Sequence, residues 1–377
     1  MASANAFAVD LYGRLAAKSG NLFFSPESIE VALALAYAGA RGTTAEQMAK
    51  VLHFPANDET PLKELGASLA ELNAEKTARD YQLSLANSIW AQKGETFLPA
   101  FLDLLKTGFG AAPAEVDYER DAEGARRTIN AWVEEKTHDK IKDLIARGVL
   151  ASSTRLVLAN AIYFKGTWET PFAKSDTREE AFHASGEEKA PMMHHSGSYA
   201  YFENDELQAL ELPYAGGELS MVIFLPRKPD GLPALEKSIT AESLASWTEG
   251  AARRTVEVTL PKFTTTAQFE LSEQLSALGM GAAFSREADF SGMTGHKDLQ
   301  IGAVIHKAFV AVNEEGAEAA AATAVGMTAM AMPMPMPPVV FRADHPFLYV
   351  IRHEKSGAIL FMGRLASTGR DGPARTP

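Results

Sequence analysis

Not one of the 377 residues is a cysteine. That absence excludes a disulfide scaffold, a thiol nucleophile, an iron–sulfur cluster and cysteine-ligated zinc. It leaves the compartment open, because a secreted protein also functions without cysteine. Positive charge is in deficit, with 36 Lys and Arg against 48 Asp and Glu and a formal net charge of −12. Neutralising phosphates needs a clustered surplus of cations, so no nucleic-acid partner is expected. Motifs for enzymatic chemistry are missing too: there is no G-x-S-x-G elbow, Walker loop, G-x-G-x-x-G or H-E-x-x-H. Neither a metal nor a cofactor is expected. The first 18 residues lack a basic segment followed by an apolar one, since Asp10 and Arg14 interrupt it. The chain is expected to be cytoplasmic, or secreted or periplasmic with its signal removed.

What is present is ordinary globular material: 46% apolar residues, 28 Gly and 19 Pro, enough for a sizeable core. Length alone suggests two or three domains. No Gly/Ser-rich or charged linker divides the chain before residue 366, however, which favours one large α+β domain over 1–366 with 367–377 as a frayed tail. Ser25 followed by Pro26 predicts a helix start, Thr43 and Glu46 a capping box for the next helix, and 60–76, 99–109 and 128–146 further helices. In the last of these Ile129, Val133, Ile141, Leu144 and Ile145 form an apolar stripe at helical spacing. Strands are predicted at 81–91 and 154–166, the second apolar enough to be buried on both faces, and six more follow after residue 206. The acidic stretch 58–76 contains only Lys63 and Lys76 as cations, so it reads as a solvated face without a patch for a heparin-like polyanion. His194 and His195 are strand neighbours pointing opposite ways and do not share a metal. His306, inside an apolar strand pattern, reads as a hydrogen-bonded core histidine.

One segment stands apart. From Ala319 to Phe341 the chain runs 23 residues without a charge, the length of a membrane span. Pro333, Pro335, Pro337 and Pro338 would leave backbone groups unsatisfied in lipid, so an exposed loop, and no membrane, is the better reading. The segment is asymmetric. Its first half, Gly316 to Val325, is small and uncharged apart from Glu318, and is competent to become a strand. Its second half is not, because four prolines remove ladder donors.

With that loop in view, the chain resembles a serpin over essentially residues 3–366. NLFFSPESIEVALALAYAGARGTT, INAWVEEKTHDKIKDLI, LVLANAIYFKGTWETPF, HKAFVAVNEEGAEAAAATAV and FRADHPFLYVIRHEKSGAILFMGRL resemble that family's motifs in the right order. The resemblance implies three β-sheets, eight to nine helices and an exposed reactive-centre loop spanning 314–341. It implies a monomeric suicide-substrate inhibitor whose partner, a target serine protease, is trapped as a covalent complex when the cleaved loop inserts into the main sheet. The serpin loop insertion used here is itself a standard example of strand addition and of a switching segment. The alternative is a non-inhibitory member acting as a binding or chaperone-like module.

By position, the resemblance makes Glu314, Glu315, Gly316, Ala317, Glu318, Ala319, Ala320, Ala321 and Ala322 the hinge. Seventeen residues counted from Glu314 end at Met330, which with Ala331 would form the scissile bond. That length spans roughly 56 Å when extended. Met332, Met334 and Met336 each precede Pro, where serine proteases rarely cut, so local chemistry also leaves Met330, with Ala329, Ala331 and Met327 as neighbours. A methionine fits the apolar primary pocket of elastase-, chymotrypsin- or subtilisin-like enzymes. The resemblance further assigns Ser25, Ser28, Asn160 and His306 to a polar cluster beneath the sheet, and Trp168, Lys262 and Glu314 to its opening, with Lys262 and Glu314 as an ion pair.

Overall fold

The structure, a computed structural model, describes residues 2–55, 58, 60–73, 81–315 and 337–369. The chain opens with α1 (Ala2–Leu15) and the short strand β1 (Leu22–Phe24), then α2 (Pro26–Tyr37), α3 (Gly42–Val51) and α4 (Thr60–Asn73). After β2 (Tyr81–Gln92) come α5 (Pro99–Phe109), β3 (Ala114–Val116), α6 (Tyr118–Lys136) and β4 (Leu156–Gly166). Four strands follow, β5 (Arg178–His183), β6 (Glu187–Glu203), β7 (Leu207–Pro213) and β8 (Leu219–Pro226), then α7 (Leu232–Ser238) and α8 (Ala241–Glu249). The last third holds β9 (Ala252–Pro261), β10 (Phe263–Glu270), the four-residue α9 (Ser272–Leu275) and α10 (Ser291–Thr294), and β11 (Ile301–Val312). It closes with β12 (Val339–Arg342), β13 (Phe347–His353) and β14 (Ile359–Leu365).

The helix starts show which local signals count. Ser25 caps α2 by accepting the N–H of Ser28, with Pro26 in the first turn. The capping box expected at Thr43 and Glu46 does not form. α3 begins at Gly42, which puts Thr43 inside the first turn, and the helix has no side-chain cap. The entry is tied instead through Asp289, whose carbonyl accepts from Arg41 N–H and whose own N–H donates to Thr44 Oγ1. The helix expected over 128–146 begins earlier, at Tyr118, and stops at Lys136. Thr137 ends it: its hydroxyl donates to Val133 O and accepts from Ile141 N–H, and His138, Asp139 and Asp143 take left-handed backbone angles. The apolar stripe still works, because Ile141, Leu144 and Ile145 are buried from irregular chain, tied back through Asn130 to both the N–H and the carbonyl of Ile145.

Two hydrogen-bonded sheets organise the molecule. The five-stranded sheet has the order β10-β11-β4-β2-β3. The other runs β1-β14-β13-β8-β7-β6-β9-β12, with β5 added to β6. The 17-residue strand β6 pairs with β9 along most of its length and with β7 at its end, and so joins two of the three implied sheets into one ladder. In the five-stranded sheet β4 lies antiparallel to β2 and parallel to β11, which is itself antiparallel to β10. Its alternating faces divide cleanly. Val157, Ala159, Ala161, Ala303 and Ile305 pack with Ile129 and Val133 of α6, whereas Leu158 and Val304 pack towards α2. Ten of the eleven β4 residues are buried, as the nearly apolar pattern requires, and Lys165 is the exception.

Candidate functional site: the β4–β11 seam and its two locks

β4 and β11 are hydrogen-bonded directly, Leu156 opposite Ile301 through Phe164 opposite Val310, so no other strand stands between them. Midway along this parallel seam His306 lies opposite Asn160, which lies opposite Asn87 of β2. Three polar side chains thus form a row across an apolar sheet, on the face turned to α2. The start of α2 closes over them. Asn160 Nδ2 donates to Ser28 O at 2.7 Å and to Ser28 Oγ at 2.6 Å, and also contacts Asn87 Oδ1. Ser28 Oγ donates to Asn87 Oδ1 at 3.1 Å. Ser25 N–H donates to His306 Nε2 at 3.1 Å. That bond makes Nε2 the acceptor, so the proton of the neutral ring sits on Nδ1 and is donated to Asn160 Oδ1. β4 and β11 are therefore pinned through one asparagine and one histidine to a single helix turn.

His306 is fully buried, and burial pushes its pKa down to about 3. The sign of the linkage follows. An imidazole with a depressed folded pKa contributes stability that is complete above its unfolded value near 6.5 and lost as pH falls towards about 3. Within that window the loss amounts to about 1.4 kcal/mol per pH unit. Denaturation midpoints of the wild type and His306→Asn, followed from pH 7 to pH 4, are expected to converge as the wild type loses this term. Parallel profiles would rule out a neutral His306.

The second lock sits just beyond the end of the seam. Glu314 is 5% exposed. Its carboxylate accepts from Lys262 Nζ at 2.8–3.0 Å and from Thr177 Oγ1 at 2.9 Å. Burial pushes its pKa up, but Lys262, Thr177 and a backbone N–H outweigh that and hold it below the usual range. The backbone is held as well: Phe172 N–H donates to Glu314 O at 2.8 Å and Trp168 N–H to Glu315 O at 3.1 Å. Trp168 Nε1 donates to Asn313 O at 2.9 Å, and its ring stacks on Tyr214 with centroids 4.5 Å apart. Glu315 pairs with Lys174. The chain leaving β11 is thus gripped on three consecutive residues. Where it re-enters the described structure, β12 pairs in parallel with β9, and Arg342 is tied to Glu180 at 2.5 Å and Asp344 at 2.7 Å.

The two locks bring together Ser25, Ser28, Asn160 and His306, and Trp168, Lys262 and Glu314. Gly316, Ala317, Glu318, Ala319 to Ala322, Met330 and Ala331 lie outside the described residues. His194 and His195 do occupy neighbouring strand positions in β6. His194 contacts Glu180 and Thr259, and His195 contacts Tyr199; no metal-holding group of three occurs among the described residues. Residues 367–369, expected to fray, are instead held by Glu188, whose carboxylate accepts from Ser367 Oγ and from the N–H groups of Thr368 and Gly369.

A family model described as "Serpin (serine protease inhibitor)" matches residues 2–368. The chain belongs to the serpin family. It is a protease inhibitor by family and not an enzyme. This serpin is 43% identical to an uncharacterized serpin-like protein of Thermococcus kodakarensis, over 96% of this chain and 84% of that one. It is 44% identical to the leukocyte elastase inhibitor of Bos taurus, over 96% and 97% of the two chains. Among solved structures, uncleaved ovalbumin matches with a TM-score of 0.86 at 30% identity, covering 97% of this chain and 99% of that one.

Two members of the serpin's locks escaped sequence reasoning. Asn87 is the central acceptor of the polar row, and its signal was an echo: Leu85-Ala86-Asn87-Ser88-Ile89-Trp90 repeats Leu158-Ala159-Asn160-Ala161-Ile162-Tyr163, so the two asparagines face one another across antiparallel strands. Thr177 has no such signal, since only the fold brings it to Glu314.

Proposed function

We propose that this serpin is an irreversible suicide-substrate inhibitor of serine proteases with apolar primary specificity. The observation that carries the reading is continuity. β11, one wall of the seam, runs without a break through the gripped residues Asn313–Glu315 into the segment of small residues that begins at Gly316. The protease serine would attack the Met330 carbonyl, forming an ester while the departing Ala331 nitrogen takes up the proton. With its far end free, residues 316–330 would enter between β4 and β11, provided the two locks release, and would carry the acyl-enzyme along before water hydrolyses the ester. Ser25, Ser28, Asn87, Asn160 and His306 then act as the central lock and Trp168, Thr177, Lys262 and Glu314 as the entrance, positioning groups throughout. The whole of 1–366 serves as a single domain, and the inhibitor acts as a monomer.

Small hinge residues and the name of the leukocyte elastase inhibitor relatives support inhibition over a binding or chaperone-like role. The test is incubation with pancreatic elastase, chymotrypsin and subtilisin over a range of ratios, followed by a denaturing gel and mass spectrometry of the released peptide. A covalent band and a carboxy-terminal fragment beginning at Ala331 are expected. Loop cleavage without a covalent band at every ratio would replace this reading with the non-inhibitory one.

A further inference from the structure

Three buried or half-buried carboxylates of this protein are paired with cations. Glu314 has Lys262, Glu236 has Arg364 and Tyr12, and Glu211 has Arg352. Two on α2 break the pattern. Glu27 and Glu30 stand three residues apart on one side of the helix, 8% and 2% exposed. Glu27 Oε1 accepts from Ser68 of α4, but Glu27 Oε2 and Glu30 Oε2 have no hydrogen-bond partner among the described residues. Both residues line a cleft of about 380 Å³ bounded by α2, α4 and the turn from β13 to β14. Its walls include Phe54, Leu65 and Ile359, and Glu64 and Lys355 stand with it as exposed residues. A mostly apolar cleft of this size with a few convergent polar groups is the usual form of a small-molecule site.

We infer that this cleft binds a small aliphatic ammonium compound, preferentially a diamine, with one nitrogen held by Glu27 and Glu30 and its alkyl chain along Phe54, Leu65 and Ile359. A cation suits the pair because it compensates the ionised form, which burial otherwise disfavours. It is organic because a metal ion needs more converging ligands than the described residues supply, none of which form a group of three. The apolar wall fits methylene groups, and the carboxylate of Glu64 suits a second nitrogen.

The titration of the pair gives a signature that greasy binding lacks. Burial pushes Glu27 up to about 7 and, with Glu27 beside it and the amino-terminal charge opposing, Glu30 up to about 8. At pH 7.5 a bound ammonium would draw both into the ionised form and release protons. The groups around the pair are Ser68, Glu64 and Glu71 on α4, His353 at the end of β13, Lys355 on the turn and the amino-terminal charge that acts on Glu30; a charge change at any of them is separated from one at the pair by substitution of the pair itself.

The experiment is isothermal titration calorimetry of the full chain at pH 7.5 with 1,5-diaminopentane, pentylamine and 1-pentanol, repeated in two buffers of different ionisation enthalpy. Saturable binding of both amines with a Kd below about 1 mM is expected, with heats that depend on the buffer and 1-pentanol at least about tenfold weaker. Glu30→Gln and Glu27→Gln each remove one ionisable group from the interior and should weaken both amines about tenfold or more. Glu64→Gln should weaken the diamine alone. Equal affinity for 1-pentanol would reduce the cleft to an apolar groove. Unchanged amine binding in both Glu27→Gln and Glu30→Gln would place the amines on the acidic surface, and the absence of saturable heat for either amine would overturn the inference outright. None of these outcomes depends on protease inhibition, so the two proposals stand or fall separately.

Discussion

Ala319→Arg is expected to turn this serpin from an inhibitor into a substrate. Side chains alternate along a strand, so residues 317, 319 and 321 share one face of the hinge and 318, 320 and 322 the other. Glu318 is the only charge from Gly316 to Ala322 and marks the outer face, which sends Ala317, Ala319 and Ala321 inward. The interior they would meet is already closed: Leu158, Ile162, Val304 and Ala308 are at most 2% exposed. An arginine carried into that layer finds no partner and loses its hydration. If this adds even about 3 kcal/mol to the insertion barrier, the partition between trapping and hydrolysis shifts by more than about a hundredfold. The readout is a denaturing gel with elastase, on which the covalent band should vanish while loop cleavage proceeds at its normal rate. Ala320→Arg, on the outer face, should lose much less. Undiminished trapping by Ala319→Arg would show that this position does not enter the sheet interior.

Glu314→Lys is expected to open the entrance before any protease arrives. The substitution removes the acceptor for Lys262 and Thr177 and puts a second ammonium beside Lys262 in its place. Breaking a buried pair costs about 3–5 kcal/mol. Lys262 keeps a third of its side chain in water, which reduces the figure here to about 2 kcal/mol. The thermal midpoint should fall by several degrees, and mild heating should produce a ladder of polymers on a native gel as the parted strands accept a neighbour's loop. Glu314→Gln keeps an acceptor for Thr177 and should fall between the two. A monomeric Glu314→Lys protein with an unchanged midpoint would show that the ion pair does not restrain the seam.

Periodic apolar patterns located helices α2 to α6 and the strands β2, β4, β7, β8, β9, β11, β13 and β14, because burial dictates them, but not α1, α7, α8 or the short strands β1, β3 and β12. β4 is apolar at all but two positions in sequence and enclosed on both faces in space. The reading failed where a side chain competes with the backbone. Thr137 ends α6 from within a stripe that continues to Ile145, and Asp289, 245 residues from Thr44 along the chain, replaces the expected cap of α3. The polar β5–β6 hairpin was overlooked for a related reason: charged residues such as Glu179, Glu180 and Glu187 hide the alternation. The locks were visible in outline because motif position preserves them. Asn87 and Thr177 were not, since their roles arise from strand register and from a loop packed across the top of the sheet.

The direction of β4 and β11 sets the handedness of the exchange on which the proposed mechanism depends. The two strands run the same way, and a segment that leaves the end of β11 and folds back must run opposite to both. Its entry would replace one parallel interface, the weaker kind per residue, by two antiparallel ones, and would leave every strand of the row β10-β11-β4-β2 alternating in direction with a sixth member at its centre. Apart from the short parallel pairing of β3 at the edge, the resting sheet in this sense carries one polarity fault, at its centre, and the hinge is a nearby segment whose direction corrects it. A repair of that kind gives the molecule no route back, so each copy would record one encounter and then be spent.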